Sequence, residues 1–177
     1  MKVNILLTGD INVGKSYILN KFLKTGDYST SGFKTLPKYD GERLEGYIIS
    51  NLLGGNQSDK NIFVGKNTEL DGKKKCVGIR ESFDTFGVEI LDDALMSDSK
   101  YILMDELGFF EKDSYFFQEK VNQVFDSDKV VIGVIKKRDN PFLNKIRERS
   151  DVEIIEITLE NREEMYKLFA EKMEEVK

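Results

Sequence analysis

The chain is 177 residues long and carries 27 Lys and Arg against 32 Asp and Glu, a formal charge of −5, with one Cys, no Trp and no His. The lack of histidine excludes Ser-His-Asp and Cys-His catalytic units, an imidazole general base and His-ligated zinc, while one cysteine cannot close an internal disulfide or build a multi-thiolate site. An apolar fraction of 40% at this length is enough for one sizeable core, and the acidic balance disfavours capture of nucleic acid by the whole surface, a local basic patch aside.

Val3 to Leu7 is a short continuous apolar run, the pattern of a strand covered on both faces. The apolar stretch breaks at Gly9-Asp10, short of a signal-peptide core, and no later segment nears the roughly 20 apolar residues of a membrane span. A soluble, cytoplasmic protein in a reducing compartment is the expectation. Directly after the run stands Gly9-Asp10-Ile11-Asn12-Val13-Gly14-Lys15-Ser16, a full match to the P-loop (Walker A) pattern G-x-x-x-x-G-K-[ST]. Its glycines let backbone N–H groups wrap a polyphosphate, and the helix that follows offers its positive N-terminal dipole to the same anion. Lys15 supplies a point charge for the β and γ phosphates, and the Ser16 hydroxyl supplies a ligand for Mg²⁺. Tyr17, Ile18, Leu19, Phe22 and Leu23 recur at helical spacing, with Gly26 placed as the stop. A plain glycine turn before an amphipathic helix is the alternative reading.

From Ser31 to Arg80, glycines at 32, 41, 46, 54, 55, 65, 72 and 78 separate runs such as Gly46-Tyr47-Ile48-Ile49 and Asn61-Ile62-Phe63-Val64. This texture predicts short antiparallel strands, with Asp71 to Lys75 as a charged hairpin tip. The chain then predicts a helix over Thr85 to Met96, a strand Tyr101 to Met104, a helix Ser114 to Phe125 and a strand Val130 to Ile135. A helix Asn140 to Arg149, a strand Val152 to Ile157 and a helix Asn161 to Glu175 follow. Helices alternating with buried-type strands imply parallel pairing through right-handed crossovers. The prediction is one α/β domain over residues 1–177, with a β-rich insertion at about 31–80.

Hydrolysis needs more than a phosphate grip: a second carboxylate for the metal, and a group that orients water. The strand Tyr101 to Met104 ends in Asp105-Glu106, two acids at the sheet edge where parallel sheets bind ligands. Asp105 is the candidate Mg²⁺ ligand of a Walker B pair and Glu106 the candidate acceptor of the water proton. Asp105-Glu106-Leu107-Gly108 also satisfies D-x-x-G, but the guanine-reading N-K-x-D motif is absent, which argues against a dedicated guanine switch.

The basic residues Lys136, Lys137, Arg138, Lys145, Arg147 and Arg149 form either a solvated face or a source of positive charge for the γ-phosphoryl group. At the same sheet edge as the P-loop lie Thr158, Asn161 and Arg162. Arg162 joins Gly9 through Tyr17 and Asp105 as a candidate nucleotide contact, although Asn161 with Glu164 also reads as a helix capping box. Phe109, Phe110, Tyr115, Phe116 and Phe117 read as core. Cys76, beside three lysines, is assigned no role.

Gly9 to Ser16, Gly32-Phe33-Lys34-Thr35, Gly41-Glu42-Arg43 with Gly46-Tyr47, Asp105 to Gly108 with Glu111, and Thr158 with Asn161-Arg162 follow one another in an order that resembles the cancer-related nucleoside-triphosphatase family. The resemblance implies a RecA-like P-loop fold: a three-layer αβα arrangement, a mainly parallel sheet, and an added strand between those bearing the two nucleotide motifs. It further implies Mg²⁺-dependent hydrolysis of ATP, GTP and other nucleoside triphosphates to diphosphate and phosphate, with Glu106 as catalytic base and Lys15 assisting. Where the family places a lysine after D-E-[IL]-G, this chain has Phe109. Two rival readings are a nucleoside or nucleotide kinase with a basic lid at 136–149, and a nucleotide-gated module that binds protein or RNA with residual hydrolysis.

Overall fold

Buried-type runs and their spacing decide the architecture. The computed structural model describes residues 2–26, 28–53, 62–70 and 72–176. Eight strands are β1 (Asn4–Thr8), β2 (Thr30–Asp40), β3 (Arg43–Asn51), β4 (Ile62–Leu70), β5 (Lys73–Gly78), β6 (Tyr101–Leu107), β7 (Val130–Ile135) and β8 (Val152–Glu156). They form one sheet in the order β5-β4-β3-β2-β6-β7-β1-β8. The pairs β2·β6, β6·β7, β7·β1 and β1·β8 are parallel, and β2·β3, β3·β4 and β4·β5 are antiparallel. The implied strand between the two motif strands is β7, which separates β1 from β6.

Because side chains alternate across a strand, each central strand feeds two cores. Leu6, Ile102, Met104 and Val131 point to one face, and Ile5, Leu7, Leu103, Ile132 and Val134 to the other. The first face is covered by α3 (Val88–Met96), α4 (Tyr115–Asp126) and α5 (Pro141–Arg147), through Leu91, Phe117, Val121, Leu143 and Ile146. The second is covered by α1 (Lys15–Leu23) and α6 (Arg162–Glu175), through Ile18, Leu19, Phe22, Phe169 and Met173. This is the three-layer α/β arrangement that the family resemblance implies. Each such side chain removed from water contributes about 1.5–3 kcal/mol before chain entropy is set against it.

Three boundaries differ from the sequence reading by more than two residues or in kind, and several others shift by one or two. Strand β2 is eleven residues long and belongs to both parts of the sheet: Thr30 to Lys34 pair in parallel with Tyr101 to Asp105, while Phe33 to Asp40 pair with β3. The cause is that Ser31, Gly32 and Phe33 are buried on both faces, the condition of a parallel core strand, which glycine spacing does not reveal. The helix predicted from Thr85 begins at α2 (Arg80–Ser82) and passes through a π-helical turn, Phe83–Gly87, into α3. An Arg80–Asp84 ion pair of 3.0 Å and the buried Phe83 ring hold that first turn. Strand β6 continues to Leu107, so the acid pair lies within the strand's last turnout rather than beyond it. Gly54, Gly55, Asn61 and Asp71 lie outside the described residues.

Candidate functional site

The P-loop runs from the end of β1 into α1, and its shape depends on glycine at two places. Gly9 (φ 138°) passes so close to the residue that follows β8 that a Cβ would stand 2.2 Å from the Ile157 carbonyl oxygen; Gly14 (φ 101°) is the N-cap of α1 in the left-handed region. No side chain caps that helix start, so its first N–H groups are available to an anion. Lys15 Nζ donates to the carbonyls of Gly9 at 2.9 Å and Asp10 at 2.6 Å, which folds the lysine back over the loop. Burial lowers its proton affinity, the Glu106 charge opposes that, and Lys136 acts with it.

Ser16 Oγ donates to Asp105 Oδ1 at 3.0 Å and so joins the P-loop helix to β6 across the intervening β7. Asp105 is 8% exposed; burial raises its pKa, and the Ser16 hydrogen bond pulls the other way. The ladder slips between Asp105 and Leu107, and Glu106 at that slip faces Lys136, with Nζ and Oε1 2.8 Å apart. A hydroxyl and a carboxylate oxygen side by side suit Mg²⁺, a hard cation that takes one or two protein ligands and completes its shell with water and phosphate oxygens. Among the described residues no group of three or more Asp, Glu, Cys or His could form a closed protein cage.

A cavity of about 860 Å³ opens over this arrangement. Of the candidate residues, Asp10, Ile11, Asn12, Gly14, Lys15, Ser16, Tyr17 and Glu106 line it, joined by Lys136 to Arg138, Phe109, Phe110, Tyr47 and Cys76. Gly9, Val13, Asp105 and Arg162 are not on its wall: Gly9 and the buried Val13 support the loop, Asp105 stands behind Ser16, and Arg162 packs against Gly14. A Cβ on Gly14 would stand 2.9 Å from Arg162 Cδ, and the buried Arg162 Nε has no hydrogen-bond partner. Asn161 does not make the capping box. Its Oδ1 accepts from the Thr158 N–H at 2.7 Å and its Nδ2 donates to the Glu156 carbonyl at 3.0 Å, because the chain turns sharply where β8 meets α6.

The basic segment divides along α5. Lys136, Lys137 and Arg138 stand at the cavity, whereas Arg149 lies at the far end of the helix in ion pairs with Asp126 and Asp151, and Lys145 is exposed. Arg147 braces the near end by donating to the carbonyls of Lys136 and Arg138. Phe142, Leu143 and Ile146 are buried and Asn140 caps the Leu143 N–H at 2.8 Å, so α5 packs one face against the core, while Lys137 to Asp139 before it are exposed. The aromatic group also divides. Phe117 is fully buried, Phe109 and Phe110 face the cavity, and Tyr115 and Phe116 are 64% exposed, since the inward stripe of α4 is Phe117, Val121, Val124 and Phe125.

Sequence reasoning placed Lys136 only within a cluster and gave Glu111 no task. Glu111 is 2% exposed and accepts a hydrogen bond from the Gly108 N–H. Burial pushes its carboxyl up to about 7, with Glu106 adding to the rise and Lys136 opposing it. The folded chain therefore keeps this proton over a range, from the ordinary 4.5 to about 7, in which the unfolded chain has lost it. Stability must fall as pH rises through that window, by up to about 3 kcal/mol from this group. Glu111→Gln keeps an acceptor for Gly108 and cannot ionise. Urea midpoints at pH 5 and pH 8 should show a smaller drop for the variant than for the parent; equal drops would remove Glu111 as the source.

The profile of the NTPase family matches residues 4–169. Nucleoside-triphosphatase THEP1 of Thermotoga maritima is 34% identical over 164 residues, covering 90% of this chain and 89% of that protein. The human cancer-related nucleoside-triphosphatase is 27% identical over 177 residues, covering 92% of each. The crystal structure of THEP1 from Aquifex aeolicus matches with a TM-score of 0.71 at 26% identity, over 98% of this chain and 99% of that one. The motifs and the whole-chain matches thus point to the same family.

Proposed function

We propose a reaction on one premise: the chain belongs to the NTPase family, and it hydrolyses nucleoside triphosphates. The reaction is Mg²⁺-dependent and converts ATP, GTP and other nucleoside triphosphates to diphosphate and phosphate. One domain over residues 1–177 carries it, with the second half of β2 and strands β3 to β5 as the insertion within about 31–80, which supplies Tyr47 and Cys76 to the cavity wall. Among the described residues no helix is long and apolar enough to cross a membrane, and a cytoplasmic setting is part of the proposal.

The observation that supports this reading best is the Ser16–Asp105 bond, 3.0 Å long, beside a cavity that also receives Lys15 and Glu106. Backbone N–H groups from Ile11 to Ser16 hold the β and γ phosphates, and Lys15 turns from the Gly9 and Asp10 carbonyls to those oxygens. Arg162, fixed against Gly14, adds positive charge, and Tyr17 extends the contact beyond the loop. Ser16 and Asp105 would hold Mg²⁺, which would supply charge neutralisation during phosphoryl transfer. Glu106 takes a proton from water as the water oxygen bonds to the γ phosphorus. The bond from phosphorus to the β–γ bridging oxygen breaks, and its electron pair leaves with the diphosphate. Without an N-K-x-D reader, binding rests on phosphate and the reaction accepts several bases.

Phosphate release from the purified protein with each of the four common triphosphates, with and without a chelator, tests this. All four should be hydrolysed, and chelation should abolish release with each. Release that continued at the same rate in chelator would overturn the metal dependence. A phosphorylated nucleoside formed faster than free phosphate would overturn hydrolysis as the reaction.

A further inference from the structure

Lys136 is held at its backbone by β6 and Arg147, and at its tip by Glu106. Its N–H donates to the Leu107 carbonyl at 2.9 Å, so it is tied to the strand that carries Glu106, and Arg147 grips its own carbonyl. The aliphatic stem lies along Gly108, where a Cβ would stand 3.1 Å from Lys136 Cδ, and Nζ rests 5.5 Å from the Phe110 ring centre. The side chain is 33% exposed, and its ammonium group meets Glu106 Oε1 at 2.8 Å inside the cavity that holds Lys15. In this arrangement the carboxylate that serves as base is already engaged by a cation. A γ-phosphoryl group beside Lys15 carries more negative charge than one carboxylate and offers several oxygens, so it competes for the same ammonium.

We propose that Lys136 is a catalytic cation with two positions: on Glu106 when no nucleotide is bound, and on the γ-phosphoryl oxygens when a triphosphate is. The transfer releases Glu106 to accept the water proton and places a further positive charge, besides Lys15 and Arg162, where negative charge grows as the β–γ bridge breaks. It also gives the site a means of separating triphosphate from diphosphate, since a diphosphate presents no γ oxygens to draw the lysine away. The proposal rests on the assignment of Glu106 as base, and the variants below fail separately for the two ideas.

Lys136→Met, Lys136→Arg and Glu106→Gln are compared in kcat, KM and calorimetric affinity for ATP and ADP, and Lys136→Met is repeated in the Glu106→Gln background. Lys136→Met should lower kcat about 10²- to 10³-fold, weaken ATP binding about tenfold or more, and leave ADP binding unchanged; Lys136→Arg should restore much of each loss. In the Glu106→Gln background the methionine should still erode the preference for ATP over ADP, because the contact is with phosphate. If that preference were unchanged there, Lys136 would only position Glu106 and the proposal would fail. Parental kcat in Lys136→Met alongside an inactive Glu106→Gln would also overturn it while leaving the base intact. Parental kcat in Glu106→Gln would overturn the base itself. Should Lys136→Met melt early, Lys136→Gln carries the same expectations.

Discussion

Glu106→Gln should lower kcat for ATP hydrolysis by about 10²- to 10⁴-fold, the usual contribution of a positioned proton acceptor, while ATP affinity stays within a few-fold of the parent. The amide matches the carboxylate in shape and keeps an oxygen for Lys136, but it cannot take a proton. The lost ion pair sits at groups 28% and 33% exposed and, discounted for solvent, contributes at most about 1 kcal/mol to stability, so the variant should fold. Single-turnover phosphate release with a parallel ATP titration separates chemistry from binding. Turnover at the parental rate would remove Glu106 from the mechanism.

Lys15→Ala should act on binding as well as rate. Its ammonium donates to two P-loop carbonyls, and hydrogen bonds to charged groups are worth about 1.5–3 kcal/mol each. ATP affinity should therefore fall about 10- to 100-fold, and kcat/KM further, since the same charge is needed more as the γ-phosphoryl group departs. The loop itself should persist, because its path is set by Gly9 against Ile157 and by Gly14 at the helix start. Calorimetry and kcat/KM on the same preparation measure both effects. An ATP affinity equal to the parent's would mean that the triphosphate is held elsewhere.

Much of this site is written locally in the chain. The P-loop spacing requires two glycines, a lysine and a hydroxyl within eight residues, and the apolar runs before and after it mark strand and helix without any tertiary knowledge. The acid pair is legible for the same reason: a buried strand that ends in two carboxylates leaves them at one edge of the sheet. What escaped was set by contacts distant in sequence. Lys136 meets Glu106 because β6 and β7 are neighbours, and nothing within a few residues of either records it. Glu111 reads as one more acid after a turn until the fold closes over it. Strand β2 looked like part of an insertion because its glycines and exposed second half dominate the pattern, while the burial of Ser31 to Phe33 depends on helices elsewhere.

Strand β7 sets a gauge. Adjacent strands stand about 4.8 Å apart, so interposing one puts β1 and β6 roughly 10 Å from each other and leaves a trough wide enough for a phosphoryl group with a hydrated cation beside it. The spacer is buried along its whole length, with side chains in both layers, and its width cannot be changed without repacking the molecule from both sides. Variation in which nucleotides are accepted must then arise elsewhere on the cavity wall, which Tyr47 and Tyr17 help to line, and the trough between the strands is free to stay the same.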